Sequence, residues 1–393
     1  MRQKLDCLIV GAGAAGMMCA IEAARRGRSV LLVDHAQAPG EKIRISGGGR
    51  CNFTNLRTAP ENFLSANPRF CISALRRYTQ RDFIALVERH GIAYHEKTLG
   101  QLFCDDSSKQ IVEMLTTELR EAGARLELST SVESVVRLGS GFRVGLSSGT
   151  VEAASLVIAS GGKSIPKMGA TGFAYDIAER FGIKVIPTRP GLVPLTFDPD
   201  TLERLKPLSG ISVEAEVACG KTRFAEGLLF THRGLSGPSI LQISSYWRDG
   251  EEIRVDLARG GDAAEMLLKA KSDSPRQAVH TALSGILPKR LAAAIAEETG
   301  TLRPLGDTGD KALRVLGERV NRWRVKPAGS EGYRTAEVTL GGIDTGALDQ
   351  KTMEAKAVPG LYFIGEAVDV TGWLGGYNFQ WAWSSGWSAG QAV

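Results

Sequence analysis

Short apolar runs that end in glycine or an acidic residue recur along the chain, and they alternate with segments of helical spacing. The first run, Cys7–Val10, leads directly into Gly11 and then into small, helix-forming residues up to Arg25. A second strand-like run, Ser29–Val33, ends at Asp34. Buried strands that alternate with helical patterns predict an α/β fold with a parallel sheet.

Helical spacing returns within residues 68–123. There Asp82–Glu88 and Lys109–Leu115 each place their apolar residues on one helical face. The next residues predict a strand, Leu126–Val132, which is followed by a β-hairpin. A further helix is predicted at Phe173–Phe181.

The pattern changes after Pro187, where alternation of apolar and polar residues replaces the continuous apolar runs. Val213–Val217 and Glu252–Leu257 alternate in this way, which predicts antiparallel strands. Helical spacing then covers four segments, Ala263–Ser272, Pro275–Gly285, Lys289–Thr299 and Asp310–Arg322. The last part of the chain returns to apolar runs that end in glycine.

Three glycines follow the first strand at the GxGxxG spacing of a dinucleotide-binding turn. Gly11 permits the tight turn, Gly13 leaves room for a pyrophosphate, and Gly16 lets the helix approach the strand. Asp34, about 20 residues further on, is placed to accept hydrogen bonds from a ribose. A signal-peptide core is one alternative for this apolar run, but the strand that ends in Asp34 argues against it. A turn that binds no ligand is the other alternative. The candidate contacts are Gly11, Gly13, Ala14, Ala15, Gly16 and Asp34.

A run of three glycines interrupts the segment Pro39–Asn55. Consecutive glycines are incompatible with a stable helix or strand interior, and here they lie among many hydrogen-bond donors. We predict a loop that lies against a flat, polar ligand, with a solvated loop as the alternative. For Cys51 a packing role is favoured over a reactive thiol, because no partner cysteine is near. The candidate contacts are Lys42, Arg44, Ser46, Gly47, Gly48, Arg50, Cys51 and Asn52.

Two later apolar runs, 155–159 and 360–364, also lead into glycines, where the backbone can pass close to a ligand. The acidic residue after the second run, Glu366, suits sugar-like hydroxyls. Beyond it a helix begins, and its free N–H groups would face an anionic or electron-rich group. A helix start without a ligand is the alternative. The candidate contacts are Ser160, Gly161, Gly162, Gly365, Glu366, Gly375, Gly376, Tyr377 and Asn378.

Composition narrows the class of protein. Hydrophobic residues make up 43% of the chain, yet no apolar stretch is long enough to span a bilayer, so we expect no membrane partner. None of the six cysteines forms a CxxC pair, which predicts a reducing compartment, the cytoplasm, and no metal site.

The charge of the chain favours anionic small molecules as ligands. The net charge is +5 and the sequence pI is about 8.8. The basic cluster from Arg314 to Lys326 contains Glu318, and its one aromatic residue is Trp323. This mixture is more typical of a solvated helix face than of a nucleic-acid-binding stripe. We therefore predict a small-molecule substrate and no nucleic-acid partner.

One histidine is a candidate for catalysis. His232 lies in a polar loop with Thr231, Arg233 and Ser236. Histidine is the side chain best suited to proton transfer near neutral pH, so His232 is a hypothetical proton donor that faces the substrate. A purely structural histidine is the alternative.

The chain resembles the BaiN-like (aminoacetone oxidase family) FAD-binding flavoproteins, which belong to the two-dinucleotide-fold class related to glutathione reductase. The resemblance is carried by Gly11–Gly16, Lys42–Asn52, Phe230–Pro238, Phe363–Glu366 and Gly372–Asn378. These segments span nearly the whole chain, and SGGGRCN and GWLGGYN are far more specific than GxGxxG. The resemblance implies a Rossmann-like FAD-binding domain with an inserted antiparallel β domain and a small helical subdomain.

The resemblance also implies an extended FAD whose pyrophosphate meets the glycines of the first turn. Asp34 would bind the adenosine ribose, and the backbone of Val132 would meet the adenine. Lys42–Asn52 and Gly375–Asn378 would border the isoalloxazine, with Glu366 near the ribityl chain and the pyrophosphate. The implied domains are 1–190 and 341–393 for FAD, 191–262 for the β-rich insert, 263–325 for the helical subdomain and 326–340 for a return strand of the insert.

We therefore predict an FAD-dependent oxidoreductase that acts on an unidentified small organic substrate, with NAD(P)H as the candidate transient electron donor. A separate NAD(P)H-binding domain is not expected, because only one complete GxGxxG is present. Three alternatives stay open: an oxygen-using substrate oxidase of the amine type, a flavin-dependent protein that binds or modifies RNA, and a non-catalytic flavin sensor. The sequence does not define the oligomeric state.

Overall fold

The computed structural model describes residues 3–393, and the backbone divides into two compact units. Unit 1 comprises the chain up to Arg189 together with Val338–Val393, and unit 2 comprises Pro190–Glu337. The chain thus leaves unit 1 once and later returns to it. None of the helices within residues 3–393 has the length and apolarity needed to cross a membrane.

A mainly parallel sheet forms the centre of unit 1. Cys7–Val10 and Val30–Val33 are buried at every position, and because successive side chains of a strand point to opposite faces, both faces of the sheet are covered. The strands of this part are β1 Gln3–Val10, β2 Val30–Val33, β3 Asn52–Asn55, β4 Phe63–Leu64, β5 Tyr94–Glu96, β6 Gln101–Cys104, β7 Arg125–Glu127, β8 Val132–Arg137, β9 Phe142–Leu146, β10 Gly149–Ile158 and β11 Val185–Gly191. The helices are α1 Ala14–Arg25, α2 Glu41–Gly49, α3 Ile72–Arg77, α4 Gln80–Arg89, α5 Lys109–Ala122 and α6 Phe173–Arg180.

The order of the strands brings the predicted contacts to one edge. The sheet runs β7-β2-β1-β10-β9-β8, in which β7, β2, β1 and β10 are parallel and β9 and β8 are antiparallel. Val10 lies opposite both Val33 and Ile158, so three neighbouring strands end together. Gly11, Asp34 and Ser160 follow these strand ends within two residues, as the carboxyl edge of a Rossmann-like sheet requires.

Two segments differ from the predicted elements. The predicted strand Leu126–Val132 is interrupted, since β7 ends at Glu127 and a separate strand, β8, follows. Between them Ser129 has a φ of +52° and donates its N–H to the Ala36 carbonyl, so the chain bends around the end of β2. The region 68–123 contains the antiparallel pair β5–β6 as well as helices, because strands this short are outweighed by the helical spacing on either side.

Unit 2 combines an antiparallel sheet with a cluster of helices, as the sequence predicts. Val213, Ala215 and Val217 on one strand are buried, whereas Glu214 between them is exposed, so this sheet has one covered face. The strands are β12 Leu195–Thr196, β13 Ser212–Cys219, β14 Thr222–Phe230, β15 Gly234–Ser236, β16 Ile253–Asp256, β17 Trp323–Val325 and β18 Gly329–Ser330, in the order β17-β16-β13-β14-β15-β12-β18. The helices are α7 Pro199–Leu205, α8 Pro238–Ser244, α9 Ala263–Asp273, α10 Val279–Leu283, α11 Lys289–Glu298 and α12 Asp310–Asn321.

The returning chain completes unit 1. Its elements are β19 Val338–Ile343, β20 Leu361–Phe363, β21 Thr371–Gly372 and α13 Tyr377–Gly390. Strand β20 lies parallel to β10 and extends the main sheet. Helix α13 packs so closely on α1 that a Cβ at Gly386 would overlap the Ala15 carbonyl oxygen. Strand β19 pairs with β11, so the backbone contacts divide the units after Glu337, whereas the sequence-based boundary lies at residue 340.

A buried carboxylate connects three helices of unit 1. The side chain of Glu118 on α5 is only 5% exposed, and it forms an ion pair with Arg25 at the end of α1. Its Oε1 also lies 3.2 Å from Arg89 and 2.6 Å from His90 Nε2, both at the end of α4. The two arginines therefore share one carboxylate with His90, and their charges complement the negative ends of their helices.

We expect Glu118→Ala to lower the free energy of unfolding by about 2–3 kcal/mol, because three groups lose their common partner. The partial exposure of the arginines keeps this value below that of a fully buried pair. Urea denaturation followed by circular dichroism measures the change. Glu113→Ala on the exposed face of the same helix is the matched control, with an expected change within about 0.5 kcal/mol. Equal losses for the two variants would contradict a stabilising role for the cluster.

Candidate functional site

The turn after β1 requires glycine at two positions and leaves open space at a third. Gly11 has a φ of +110°, and a Cβ there would overlap the Ala159 carbonyl oxygen. At Gly16 a Cβ would overlap the Gly11 carbonyl oxygen, so only glycine lets α1 start this close to the turn. A Cβ at Gly13 would meet no atom within 4 Å. The space in front of Gly13 is therefore available to a ligand.

The start of α1 presents free backbone donors at the same place. The first helical hydrogen bond runs from the Met17 N–H to the Gly13 carbonyl, at 3.0 Å. The N–H groups of Ala14, Ala15 and Gly16 consequently have no acceptor within the helix. Together with the positive end of the helix dipole they suit an anion such as a pyrophosphate.

Asp34 at the end of β2 organises two neighbouring loops. Its carboxylate accepts the N–H of Ala12 at 2.6 Å and that of Ala36 at 2.8 Å. A carboxylate has about four acceptor positions, so two remain for ribose hydroxyls. The Asp34 carbonyl accepts the Thr130 N–H at 2.8 Å, which brings the backbone just before Val132 to this edge. Ribose binding by Asp34 and adenine binding at Val132 stay predictions.

The glycine-rich loop begins as a helix and then leaves it. Residues from Glu41 are helical, but Ser46 has an extended backbone, and Gly47 and Gly48 have φ values of +58° and +67°. A Cβ at Gly48 would meet no atom within 4 Å. Ser108 supports the loop from behind, since its N–H donates to the Gly49 carbonyl at 2.8 Å. The predicted non-helical glycine segment is present, with an open face.

Most side chains of this loop have local roles. Arg44 pairs with Glu41 at 3.1 Å, and the Ser46 hydroxyl donates to a carbonyl of its own helix. Arg50 is exposed. Cys51 is fully buried with a φ of +49°, and burial raises the pKa of its thiol. This thiol is therefore a packing group and not a nucleophile.

Lys42 takes part in a polar network across unit 1. Its Nζ donates to the Ser164 hydroxyl and to Glu366 Oε2, each at 2.6 Å. Glu366 Oε1 accepts the Ser164 hydroxyl at 2.9 Å and the Thr339 N–H at 3.0 Å. The side chain of Lys42 is 33% exposed and that of Glu366 is 18% exposed. The network thus holds an ammonium and a carboxylate at the surface of the candidate site.

The glycine-containing segment that follows β10 packs closely against this network. A Cβ at Gly162 would lie 2.5 Å from Thr339 Oγ1 and 2.7 Å from Glu366 Oε1, so a side chain there would disrupt both. Thr339 Oγ1 in turn accepts the Lys163 N–H at 2.8 Å. Gly161 is different, because a Cβ there would meet no atom within 4 Å.

The start of α13 is held against β3 by two asparagines. Gly375 and Gly376 have φ values of +108° and +92°. The Asn55 amide donates to the Gly375 carbonyl at 2.8 Å, and the Asn52 amide accepts the Gly376 N–H at 3.3 Å in the orientation that satisfies its surroundings. A Cβ at Gly376 would overlap the Thr54 carbonyl. This helix start is therefore rigid and fixed in direction.

The next side chains of α13 serve packing. The Asn378 amide oxygen accepts the Gly372 N–H at 2.8 Å, and its nitrogen donates to the Gly372 carbonyl at 2.9 Å. Tyr377 is buried against the rings of Phe63 and Trp373. Gly365 is held by α13 as well, since its N–H donates to the Ser385 hydroxyl at 3.0 Å. These positions can face a ligand only through their backbone.

The site includes residues that the sequence analysis does not select as contacts, namely Asn55, Ser164 and Thr339. Thr339 is a polar residue inside the buried run Val338–Ile343, and Ser164 is fully buried. Buried polar side chains are uncommon unless they are hydrogen-bonded, so this pattern is the signal that could have identified Thr339. Ser164 and Asn55 carry no comparable signal, because their partners are distant in sequence.

The donors and open positions of unit 1 fit FAD. The Ser160 hydroxyl is shielded from solvent and has no hydrogen-bond partner within residues 3–393. Gly13, Gly48 and Gly161 each face empty space, and the N–H groups of α1 are free for a phosphate. A buried polar atom without a partner is costly, so a ligand that satisfies the Ser160 hydroxyl agrees with the physical expectation.

The polar loop that contains His232 and the basic cluster Arg314–Lys326 both belong to unit 2. His232 is exposed on a turn in which the Thr231 hydroxyl accepts the N–H groups of Arg233 and Gly234, at 3.2 and 3.1 Å. The arginines of the basic cluster largely pair with acids on helices: Arg314 with Glu265, Arg319 with Glu298 and Arg322 with Glu318. These pairs agree with the predicted solvated helix face.

Comparison with known proteins gives close relatives over the whole length. Ribosomal RNA dihydrouridine synthase of Escherichia coli (strain K12) is 52% identical over 99% of this chain and 98% of that protein. Ribosomal RNA dihydrouridine synthase of Haemophilus influenzae (strain ATCC 51907 / DSM 11121 / KW20 / Rd) is 47% identical over 100% of this chain and 99% of that protein. The solved 3-ketosteroid-delta4-(5alpha)-dehydrogenase of Rhodococcus jostii RHA1 shares the fold, with 17% identity, a TM-score of 0.53, and 99% and 97% of the two chains covered.

These relatives contradict two predictions from the sequence. The first is the small organic substrate, and the second is the absence of a nucleic-acid partner. Both are wrong, because the two full-length relatives are named for ribosomal RNA, a nucleic acid, and not for a small molecule. The alternative of an RNA-modifying flavoprotein agrees with these names.

The predicted fold class and the FAD cofactor are confirmed. The parallel sheet with its glycine turn, the inserted antiparallel strands and the helical cluster all belong to a Rossmann-like flavoprotein. A family profile described as "HI0933-like protein Rossmann domain" matches residues 5–392. The chain therefore belongs to the HI0933-like Rossmann-domain family, and it is an FAD-dependent oxidoreductase.

Proposed function

We propose that this protein reduces uridine in ribosomal RNA to dihydrouridine, with FAD as its cofactor. One observation carries the proposal: two ribosomal RNA dihydrouridine synthases are 52% and 47% identical to it over essentially the whole of each chain. The geometry of unit 1 supports it, since the residues suited to hold FAD lie along one sheet edge with open space before them.

The residues that would hold FAD follow from the site. The fingerprint glycines and the start of α1 would bind the pyrophosphate, and Asp34 would bind the adenosine ribose. Ser160, the Lys42–Asn52 loop and the start of α13 would surround the rest of the cofactor. Bound FAD would supply the redox chemistry, while the protein would bind and orient the cofactor and the substrate and exclude water.

The reaction determines what else the protein must provide. Dihydrouridine carries two more hydrogens than uridine, across the C5–C6 bond of the base. With NAD(P)H as the proposed reductant, uridine, NAD(P)H and one proton give dihydrouridine and NAD(P)⁺. Because the chain has one dinucleotide fingerprint and FAD would occupy it, we propose that NAD(P)H binds only transiently.

Lys42 is the side chain that we assign to the polarisation of a carbonyl oxygen in the site. Two of its three N–H donors are used by Ser164 and Glu366, which leaves the third for a ligand. Glu366 and Ser164 act as positioning residues, because they hold the ammonium in one place. A fixed donor stabilises developing negative charge better than a mobile one.

His232 is the proposed proton donor, and we expect His232→Asn to lower the turnover of RNA about 100-fold. Initial rates with saturating RNA measure the effect. His280→Asn in the same unit is the matched control and should keep the wild-type turnover. A His232 variant with wild-type turnover would exclude this role.

The proposed function is tested on ribosomal RNA that this enzyme has not modified. Ribosomal RNA from a strain that lacks the gene is incubated with the FAD-loaded protein and NADH or NADPH, then digested to nucleosides for mass spectrometry. We expect dihydrouridine at a defined position, formed with consumption of one nicotinamide per uridine. Flavin-loaded protein that forms no dihydrouridine with either reductant would overturn the proposal. An RNA substrate would also place the protein in the cytoplasm, where ribosomes assemble.

A further inference from the structure

We propose that an arginine-lined groove on unit 1 binds phosphates of the RNA substrate, an inference that rests on the proposed function. The groove has a volume of about 480 Å³ and is lined by Arg69, Ile72, Ser73, Arg76, Arg77 and Gln350. We call it the arginine groove. It lies outside the residues assigned to FAD, and none of the contacts described above uses it.

A face of α3 forms one side of the arginine groove. Ile72 and Ser73 lie four and three residues before Arg76 on this helix, which places the three on one face, and Arg69 precedes the helix. Arg69, Arg76 and Arg77 are all exposed. A row of guanidinium groups therefore faces outward beside the polar groups of Ser73 and Gln350.

The three arginines carry uncompensated charge. In the described part of the chain none of them forms an ion pair with a carboxylate, whereas the basic cluster of unit 2 is largely paired. The acid next to Gln350 in sequence, Asp349, uses its Oδ1 to accept the N–H groups of Lys351 and Thr352 at 2.8 and 3.0 Å. The groove thus presents positive charge that is available to attract an anion.

One of the arginines is fixed in place. The Arg77 guanidinium lies 4.9 Å from the ring centre of Trp387 and donates to the Lys351 carbonyl at 2.5 Å. Stacking and a backbone hydrogen bond hold the planar group, yet most of its five donors stay available. An arginine that is already ordered loses less entropy when it binds a phosphate.

The lining favours the phosphodiester backbone of a nucleic acid over a nucleotide cofactor. The groove is lined by no aromatic side chain that could stack on a nicotinamide or adenine ring. Its guanidinium, hydroxyl and amide groups are those that contact phosphates and set the position of a nucleic acid without reading its sequence.

The arginine groove is also tied to the helix that begins at the candidate site. Tyr78, just after α3, accepts the Gln380 amide at 3.2 Å and the Ser384 hydroxyl at 2.7 Å through its carbonyl. Both donors lie on α13, whose start is held by Asn52 and Asn55. Phosphates bound in the groove would therefore be held on the same rigid unit as the residues around FAD.

The test compares two double variants that remove the same charge. Arg69→Gln/Arg76→Gln removes two unpaired arginines of the groove, and Arg314→Gln/Arg319→Gln removes two paired arginines of unit 2. Binding of the FAD-loaded proteins to ribosomal RNA from the deletion strain is measured over a salt series. Flavin content and NADPH affinity are measured on the same preparations.

For the groove variant we expect RNA affinity to fall about 5-fold to 30-fold and the slope of log K against log salt to become shallower by about 1.5–2. The control variant should change the affinity less than about 3-fold, because its arginines are already paired with carboxylates. Flavin content and NADPH affinity should stay at the wild-type value in both.

Three other outcomes of this experiment would contradict the groove proposal, each for a different reason. If the wild-type protein forms dihydrouridine but the groove variant keeps its RNA affinity and salt slope, the groove proposal is overturned while the proposed function stands. If the wild-type protein neither binds nor reduces RNA, the proposed function fails and the groove proposal with it. Loss of NADPH affinity with unchanged RNA affinity would assign the groove to the reductant and overturn the proposal.

Discussion

Gly16→Ala is expected to abolish FAD binding and to lower the free energy of unfolding by about 3–5 kcal/mol. A methyl group at this position would overlap the Gly11 carbonyl oxygen and press on the Ala159 side chain. Neither group can move alone, because the Gly11 N–H is bonded to the end of β2 and Ala159 continues β10. Thermal denaturation and the flavin absorbance of the purified protein measure the two effects.

Gly13→Ala distinguishes an effect on FAD binding from an effect on the stability of the fold. A methyl group at Gly13 would meet no protein atom within 4 Å, and the residue has an ordinary extended backbone with a φ of −83°. We therefore expect the FAD-free protein to keep its stability within about 0.5 kcal/mol. FAD affinity should fall roughly 10-fold to 100-fold, the equivalent of about 1–3 kcal/mol of steric overlap. A Gly13 variant that binds FAD normally would show that the pyrophosphate does not lie against this turn.

Lys42→Met is expected to lower the turnover of RNA about 100-fold, the usual effect of removing one fixed donor. Methionine retains an unbranched stem of similar length but cannot donate a hydrogen bond. Steady-state kinetics with saturating RNA measure the change, and Lys109→Met on the surface of α5 is the control. Turnover at the wild-type level with FAD fully bound would remove Lys42 from the reaction.

A double variant distinguishes chemistry from stability in the Lys42 experiment. Lys42→Met alone leaves the largely buried Glu366 carboxylate without its cation, so part of any loss could come from the fold. Lys42→Met/Glu366→Gln removes both charges, and the amide oxygen of the introduced glutamine can still accept the Ser164 hydroxyl and the Thr339 N–H. We expect this variant to recover the melting temperature but not the turnover.

The sequence predicts the parts of the site that depend on local geometry. Gly11 and Gly16 are recognisable because a turn between a strand and a helix imposes their spacing, and Asp34 is recognisable because it ends the next strand. The sequence predicts Lys42 and Glu366 only as two separate contacts. In the structure the two side chains form a hydrogen bond, but they lie 324 positions apart, and no local pattern encodes such a contact.

The prediction of a small-molecule substrate failed for a related reason. In the most visible basic segment of the sequence, Arg314–Lys326, two of the five cations pair with acids that lie elsewhere in unit 2, and a third pairs with Glu318 of the same helix. The arginines Arg69, Arg76 and Arg77 are less conspicuous in the sequence, yet within residues 3–393 the fold gives them no carboxylate partner. Net charge and clustering therefore do not show which cations are available, because pairing is decided by tertiary contacts.

The discontinuous construction of unit 1 has a consequence for synthesis of the protein. The glycine turn proposed to bind the pyrophosphate is made first, but Glu366 and the start of α13 come from the returning chain after all of unit 2. A nascent chain on the ribosome thus carries an incomplete cofactor pocket until Gly376 and the helix behind it have emerged. FAD capture is consequently a late event in biogenesis, and limited flavin supply should leave a pool of full-length apoprotein rather than arrested fragments.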